Sequence, residues 1–271
     1  MAKDAKSAFC EDSRVKFPTL MHLMGMGFKY VSLKGLKTKY VEAPKTEFDP
    51  LTNILTDYFT DAYCTLNPKA EKKDAEDMLV KIQKSLQNDD LGRQFYNEIL
   101  LNTGERIIDL SSPANFYRNN TFQVTTEMTC GSKDSDNYRP DITIFVNGLP
   151  LAFIEVKKEN NHKGIQAETD RMKQRFVNPQ YRRFLNITQI MVFSNDMEYD
   201  NNEVTPTIGA FYATIGKKNT KYNCFREEGQ DSFPTARHIH QVTPEEEEVL
   251  LRDNNVPQYK NSSEYKTNCL A

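Results

Sequence analysis

The stretch RPDITIFVNGLPLAFIEVKK, residues 139–158, decides the reading of this chain. It holds two alternating runs, 141–146 and 151–157, on either side of Asn147-Gly148. Asn-Gly between β-branched and aromatic runs is a strong hairpin signal, because both residues accept the positive φ of a tight turn. Ile142, Ile144 and Val146 give the first run one apolar face, and Ala152, Ile154 and Val156 do the same for the second. The other faces are mixed: Asp141, Thr143 and Phe145 on one run, Leu151, Phe153, Glu155 and Lys157 on the other.

Register decides what such a hairpin can do. A strict two-residue turn pairs Val146 with Leu149 and Asp141 with Ile154, which mixes the apolar and charged sets, since directly opposed residues share a face. A three-residue loop, Val146-Asn147-Gly148, pairs Phe145 with Leu149 and Asp141 with Phe153 through a glycine bulge. The two apolar faces then merge, and Asp141, Glu155 and Lys157 emerge together on the opposite side. The expectation is therefore an odd-length loop or an equivalent bulge near Asn147-Gly148.

Two carboxylates converging on one sheet face repel unless something positive lies between them. A hard divalent cation takes oxygen ligands, Mg²⁺ at about 2.1 Å, and keeps several waters beside one or two carboxylates. Asp141, Glu155 and the backbone carbonyl of Val156 can supply such oxygens. Lys157, on the same face, can orient and help deprotonate a water, while a metal stabilises charge on a phosphoryl oxygen. The plainer reading of an isolated Asp plus Glu-x-Lys is a pair of charged strand ends, because short motifs match by chance. The apolar hairpin, and Pro140 just before Asp141, weigh against it here.

Pro140-Asp141 followed by Glu155-Val156-Lys157 has the form of the PD-(D/E)xK nuclease signature. The wording around it resembles the N-terminal nuclease domain of the restriction (R) subunit of type I restriction-modification enzymes, and the resemblance runs from about residue 14 to 226. It implies an α/β fold: a mixed central β-sheet flanked by helices, restriction endonuclease-like, with a helical insertion. It also implies a DNA endonuclease dependent on Mg²⁺ or Mn²⁺, with Asp141, Glu155 and Lys157 catalytic. Asp141, Glu155 and the Val156 carbonyl are the implied metal ligands. The partners implied are double-stranded DNA and the methyltransferase (M) and specificity (S) subunits. ATP would be used only by a translocase motor that this chain lacks. A catalytically idle scaffold for DNA binding or subunit docking, and a free-standing nuclease, are the alternatives.

Composition narrows the classes further. Lys plus Arg number 35 against 38 Asp plus Glu, a net charge of −3, so a DNA site must be a local patch. No run of 18 apolar residues suggests a membrane span, and the first ten residues lack the apolar core of a signal peptide. Five scattered cysteines without a CxxC pair read as reduced thiols in a cytoplasmic protein, not a disulfide frame or zinc site. No GxxxxGK[ST] phosphate loop occurs.

The remaining elements follow from periodicity. Helices are expected over 13–27, from Asp49-Pro50 to 63, over 70–87, and over 91–101 behind an Asp90 cap. Strands are expected over 28–33, 120–129, 187–193 and 208–215. A helix over 164–176 carries Arg171, Lys173 and Arg175, and Arg182 and Arg183 follow beside Tyr181 and Phe184. With Lys158 they suit a DNA backbone track, against the alternative of a solvated helix face. The family carries a Gln-x-x-x-Tyr motif on this helix. Here Gln166 precedes Asp170 and Glu168 precedes Met172, without the tyrosine, and Gln166 is the DNA-binding residue carried over. Residues 1–230 are expected to form the endonuclease domain, with an insertion at about 47–102. Residues 231–271 would add a helix opening at Thr243-Pro244 and a linker towards the motor.

Overall fold

The computed structural model describes residues 15–39, 41–102, 104–131, 138–157, 164–194, 210–214, 223–224 and 240–254. A seven-stranded mixed sheet runs through it in the order β1 (Lys29–Tyr30), β4 (Phe122–Thr126), β5 (Ile142–Val146), β6 (Leu149–Val156), β7 (Ile190–Ser194), β8 (Ala210–Thr214), β9 (Asn223–Cys224). The five central strands are long and the two edge strands have two residues each. β1–β4 and β6–β7 are parallel, and the other pairs are antiparallel. A small hairpin, β2 (Leu36–Lys37) with β3 (Glu42–Ala43), stands apart. This is the α/β, restriction endonuclease-like architecture expected.

Alternation along β5 to β7 gives the sheet two different faces. On one, Val124, Ile142, Ile154, Val156 and Val192 pack against α1 (Phe17–Gly25) and α7 (Pro244–Asp253) through Leu20, Met24, Leu250 and Leu251. On the other, Phe153, Met191 and Phe193 meet Met172 of α5 (Gly164–Val177) and Phe184 and Leu185 of α6 (Arg182–Ile187). α7 begins where Thr243-Pro244 suggested, with Thr243 and Glu246 forming a capping box.

Hairpin parity is as expected, but its device is different. Val146 pairs with Leu149 and Phe145 with Pro150, so the turn is the two-residue Asn147-Gly148, both with positive φ (52° and 75°). Ile144 then pairs with Ala152, and Leu151 is bulged out. Beyond the bulge Thr143 faces Phe153 and Ile142 faces Ile154. The three-residue loop, with Phe145 opposite Leu149 and Asp141 opposite Phe153, is thus corrected. One extra residue in the strand does the work assigned to one extra residue in the loop, and the register moves by two.

Tertiary contacts explain that choice. Asn147 is fully buried. Its Oδ1 accepts from the Thr121 amide at 2.8 Å, and its Nδ2 donates to the Ile107 carbonyl and to Asn120 Oδ1 at 2.9 and 2.8 Å. Gly148 offers its carbonyl to the Leu55 amide at 2.9 Å, at the start of α2 (Thr56–Leu66). The tip of the hairpin is therefore plugged into the helical block. α2 and α3 (Lys72–Ser85) bury Phe59, Met78 and Ile82 in one cluster with Val146, Leu149 and Ile187.

Four other expectations change. Asp49-Pro50 does not open a helix: the Asp49 carboxylate accepts from the Leu51 amide and Thr52 Oγ1, closing a turn, and α2 starts at Thr56. Leu51, read as part of an apolar stripe, is 53 % exposed as a result. Asp90 does cap the next helix, through the Gly92 and Gln94 amides, but that helix is π-wound over Phe95–Leu100. The strand expected over 187–193 starts at Ile190, because 182–187 is helical. The strands expected over 28–33 and 120–129 shrink to Lys29–Tyr30 and Phe122–Thr126. A further helix, α4 (Pro113–Asn119), precedes β4.

Candidate active site

Neighbouring strands β4 to β7 bring four chain segments to one end of the sheet. Asp141 lies just before β5, Glu155 is in the last turn-free positions of β6, and Lys157 follows it. The Lys157 amide donates to the Ser194 carbonyl at the end of β7 (2.7 Å), and the Glu127 amide, just past β4, donates to the Asp141 carbonyl (3.3 Å). Asp141 Oδ2 accepts from the Val156 amide at 2.9 Å. The parity set by the Leu151 bulge places Glu155 on the α5 face of the sheet, opposite Phe193 of β7.

Glu155 is 5 % exposed, and its Oε1 has no hydrogen-bond partner. The nearest cation is Arg175 Nη1 at 3.9 Å. The buried hydroxyl of Tyr138 approaches Glu155 as a weak hydrogen-bond donor, short of full hydrogen-bond geometry. Burial, and then the neighbouring carboxylates Asp141 and Glu168, push the Glu155 pKa well above the usual carboxylate range. Burial and the Glu155 charge likewise raise the Tyr138 phenol.

Lys157 Nζ donates to the carbonyl of Val156 at 2.8 Å and lies 3.6 Å from Glu168 Oε2. The ammonium therefore leans on the very oxygen assigned as a backbone ligand. Glu168, 1 % exposed, is held from both sides: Arg175 Nη1 donates to Oε1 at 2.8 Å and Arg171 Nη1 to Oε2 at 2.9 Å. The Arg175 guanidinium also lies over the Tyr138 ring, 3.9 Å from its centroid. Three acids (Asp141, Glu155, Glu168) and three bases (Lys157, Arg171, Arg175) make up the cluster.

The donor set fits a hard divalent cation. All candidate ligands are oxygens, one of them a buried carboxylate oxygen without a hydrogen bond of full geometry, next to a second carboxylate. Among the described residues no three His, Cys, Asp or Glu side chains gather into a metal-holding group. Two carboxylates and a carbonyl match an ion that retains water ligands.

The basic residues read as a DNA track divide by exposure. Arg171 and Lys173 are more than half exposed, and each also meets an acid on α5, Glu168 and Asp170. Arg182 and Arg183 are partly exposed at the start of α6. Arg175, with its side chain 22 % exposed, turns into the acidic cluster instead. Gln166 lies on α5, and Lys158 lies outside the described residues. Sequence reasoning missed Glu168 as a member of the site. The signal was there: Glu168 falls on the helical stripe of Ile165, Met172 and Phe176, where an apolar residue is expected.

The family model for the type I restriction enzyme R protein N terminus matches residues 9–204. That span contains both halves of the motif, α5, α6 and β7. The chain belongs to this family. No curated protein sequence matches it. In this R protein N terminus Pro140-Asp141 and Glu155-Val156-Lys157 lie together at one end of the mixed sheet.

Proposed function

We propose that this R protein N terminus is a metal-dependent DNA endonuclease domain, hydrolysing phosphodiesters by attack of an activated water. The observation that carries the reading is the buried Oε1 of Glu155, without a hydrogen bond of full geometry, beside Asp141 and Lys157. Asp141, Glu155 and the Val156 carbonyl would hold Mg²⁺, or Mn²⁺. Such an ion, when bound, supplies a Lewis acid for the phosphoryl oxygen and a counter-charge for the two acids. Asp141 is presented by the Val156 amide, which fixes one of its oxygens and leaves the other available. Lys157 places its ammonium at the mouth of this cluster, where it can orient a water and exchange a proton with it.

Arg171, Lys173, Arg182 and Arg183, with Lys158 and Gln166, would track the phosphates of double-stranded DNA without reading bases. The M and S subunits of a restriction complex are the proposed protein partners, and ATP would be hydrolysed by a motor elsewhere in the full subunit. Residues 1–230 would form the nuclease unit and 231–271 the connection onwards. A cytoplasmic location goes with a DNA substrate. Among the described residues no helix is long and apolar enough to cross a membrane.

The test is cleavage in a reconstituted restriction complex. Glu155→Ala and Lys157→Ala should each abolish DNA cleavage while ATP-driven translocation continues. Near-normal cleavage by either variant would reject the nuclease reading.

A further inference from the structure

We infer that Glu168 is a positioning residue of this site, acting through Lys157. The inference rests on the nuclease reading for its link to catalysis, but its geometric part stands without it.

Glu168 is on α5, across from the strand that carries the motif, and only 1 % exposed. Burying a carboxylate is costly unless charge and hydrogen bonds compensate, and even a well-paired buried ion cluster seldom stabilises a fold more than apolar side chains of the same volume. Its helical stripe otherwise offers Ile165, Met172 and Phe176, so packing alone does not call for an acid here. What the acid does is gather cations from three directions: Arg171 at 2.9 Å, Arg175 at 2.8 Å and Lys157 at 3.6 Å.

The effect on Lys157 is specific. Its ammonium donates a hydrogen bond to the carbonyl of Val156, the residue before it. That oxygen is also a proposed ligand, and a metal cation on its second lone pair would repel the ammonium and weaken this hold. Glu168 Oε2 is the acid in ion-pair range of Lys157 Nζ, just beyond hydrogen-bond length. It therefore keeps the ammonium at the site when the carbonyl is otherwise engaged. The Arg171 and Arg175 bonds fix the carboxylate in turn, so its lone pairs do not swing away. Glu168 thereby does for Lys157 what an orienting acid does for a catalytic base.

The experiment compares parent and Glu168→Gln in the complete restriction complex. Single-turnover cleavage is measured with the complex in large excess over DNA, alongside DNA affinity. Glu168→Gln should slow cleavage about tenfold or more and change DNA affinity less than about twofold. An unchanged rate, or a loss of affinity that matches the loss of rate, would overturn the proposal.

A second measurement needs neither cleavage nor the Gln variant. The Lys157 amine is labelled with an amine-reactive ester and read by mass spectrometry in parent and Glu168→Asp, which keeps the charge but retracts it. Severalfold faster labelling of Lys157, with other lysines unchanged, supports the proposal; an unchanged Lys157 rate overturns it. If the parent fails to cleave, the nuclease reading falls, and this labelling result still decides whether Glu168 positions Lys157.

Discussion

Val156 donates its backbone N–H to Oδ2 of Asp141 at 2.9 Å, across fifteen residues of sequence. The bond joins the two halves of the motif directly. It also explains why a hairpin, and not merely two nearby strands, is needed: the amide that orients Asp141 belongs to the residue between Glu155 and Lys157. A charge-assisted bond of this kind is stronger than a neutral one. Asp141 is thus aimed by the same strand that presents Glu155.

The first prediction concerns metal. Mg²⁺ and Mn²⁺ should bind the parent and should raise its unfolding temperature, because an ion that binds only the folded state stabilises it by mass action. Asp141→Ala combined with Glu155→Ala should lose both effects. Calorimetry returning equal metal affinity for parent and double variant would rule out these ligands.

The second concerns the basic residues. Replacing Arg171, Lys173, Arg182 and Arg183 with Gln should weaken DNA binding and flatten its dependence on salt, since each phosphate contact releases counterions. Arg175→Gln should behave differently. Its guanidinium is committed to Glu168 and the Tyr138 ring, so the salt slope should stay as in the parent while thermal stability falls. Binding isotherms at two salt concentrations separate the outcomes. A slope reduced by Arg175→Gln as much as by the others would put that residue on the DNA.

The third is a pH dependence remote from the site. Asp109 lies behind the hairpin turn, exchanging backbone bonds with the Asn120 side chain that also meets Asn147. Its carboxylate accepts from Ser111 Oγ, Asn119 Nδ2 and the Ser111 amide, and these hold its pKa down at about 2. A depressed folded-state pKa contributes stability above the unfolded value, about 3.9 for Asp, and loses it as pH falls through the folded value. The gap in unfolding temperature between parent and Asp109→Asn should therefore be widest at neutral pH and close between about pH 4 and 2. A gap independent of pH across that range would mean the carboxylate charge contributes nothing.

Parity was legible in the sequence and its cause was not. Alternation along 141–146 and 151–157 demanded that the two apolar faces merge, and beyond the bulge Ile142 faces Ile154 and Ile144 faces Ala152. Asn-Gly serves a two-residue turn and a glycine-bulge loop equally, so local chemistry left the choice open. Long-range bonds made it: Asn147 to Ile107, Thr121 and Asn120, and Gly148 to Leu55. Glu168 was legible as an acid on the apolar stripe of Ile165, Met172 and Phe176, but its partners, Arg175, Arg171 and Lys157, were not. Asp49 shows the converse. An Asx-type turn and a helix cap use the same side-chain acceptor, and only the exposed Leu51 reveals which was formed.

The last prediction follows from the seating of the hairpin tip. Gly148 has φ +75°, a conformation that costs an L side chain roughly 1 kcal/mol. A methyl built on it would stand 2.6 Å from the Leu55 carbonyl oxygen and 2.9 Å from the Phe59 amide nitrogen. Both atoms are backbone at the start of α2, so neither can rotate away. Overpacking against a fixed wall adds about 1–3 kcal/mol. Gly148→Ala should therefore destabilise the fold by about 2–4 kcal/mol, lowering the unfolding temperature by several degrees. Asn147→Ala should cost a similar amount, by leaving the buried Ile107 carbonyl unpaired and removing the bond to the Thr121 amide. Both changes lie at the end of β5 and β6 away from Asp141 and Glu155, so metal affinity of the folded fraction should stay within about twofold of the parent. Thermal melts showing Gly148→Ala as stable as the parent would mean that the turn is not seated against α2. Metal affinity lost together with stability would mean that the bulge at Leu151 does not insulate the acids from the tip.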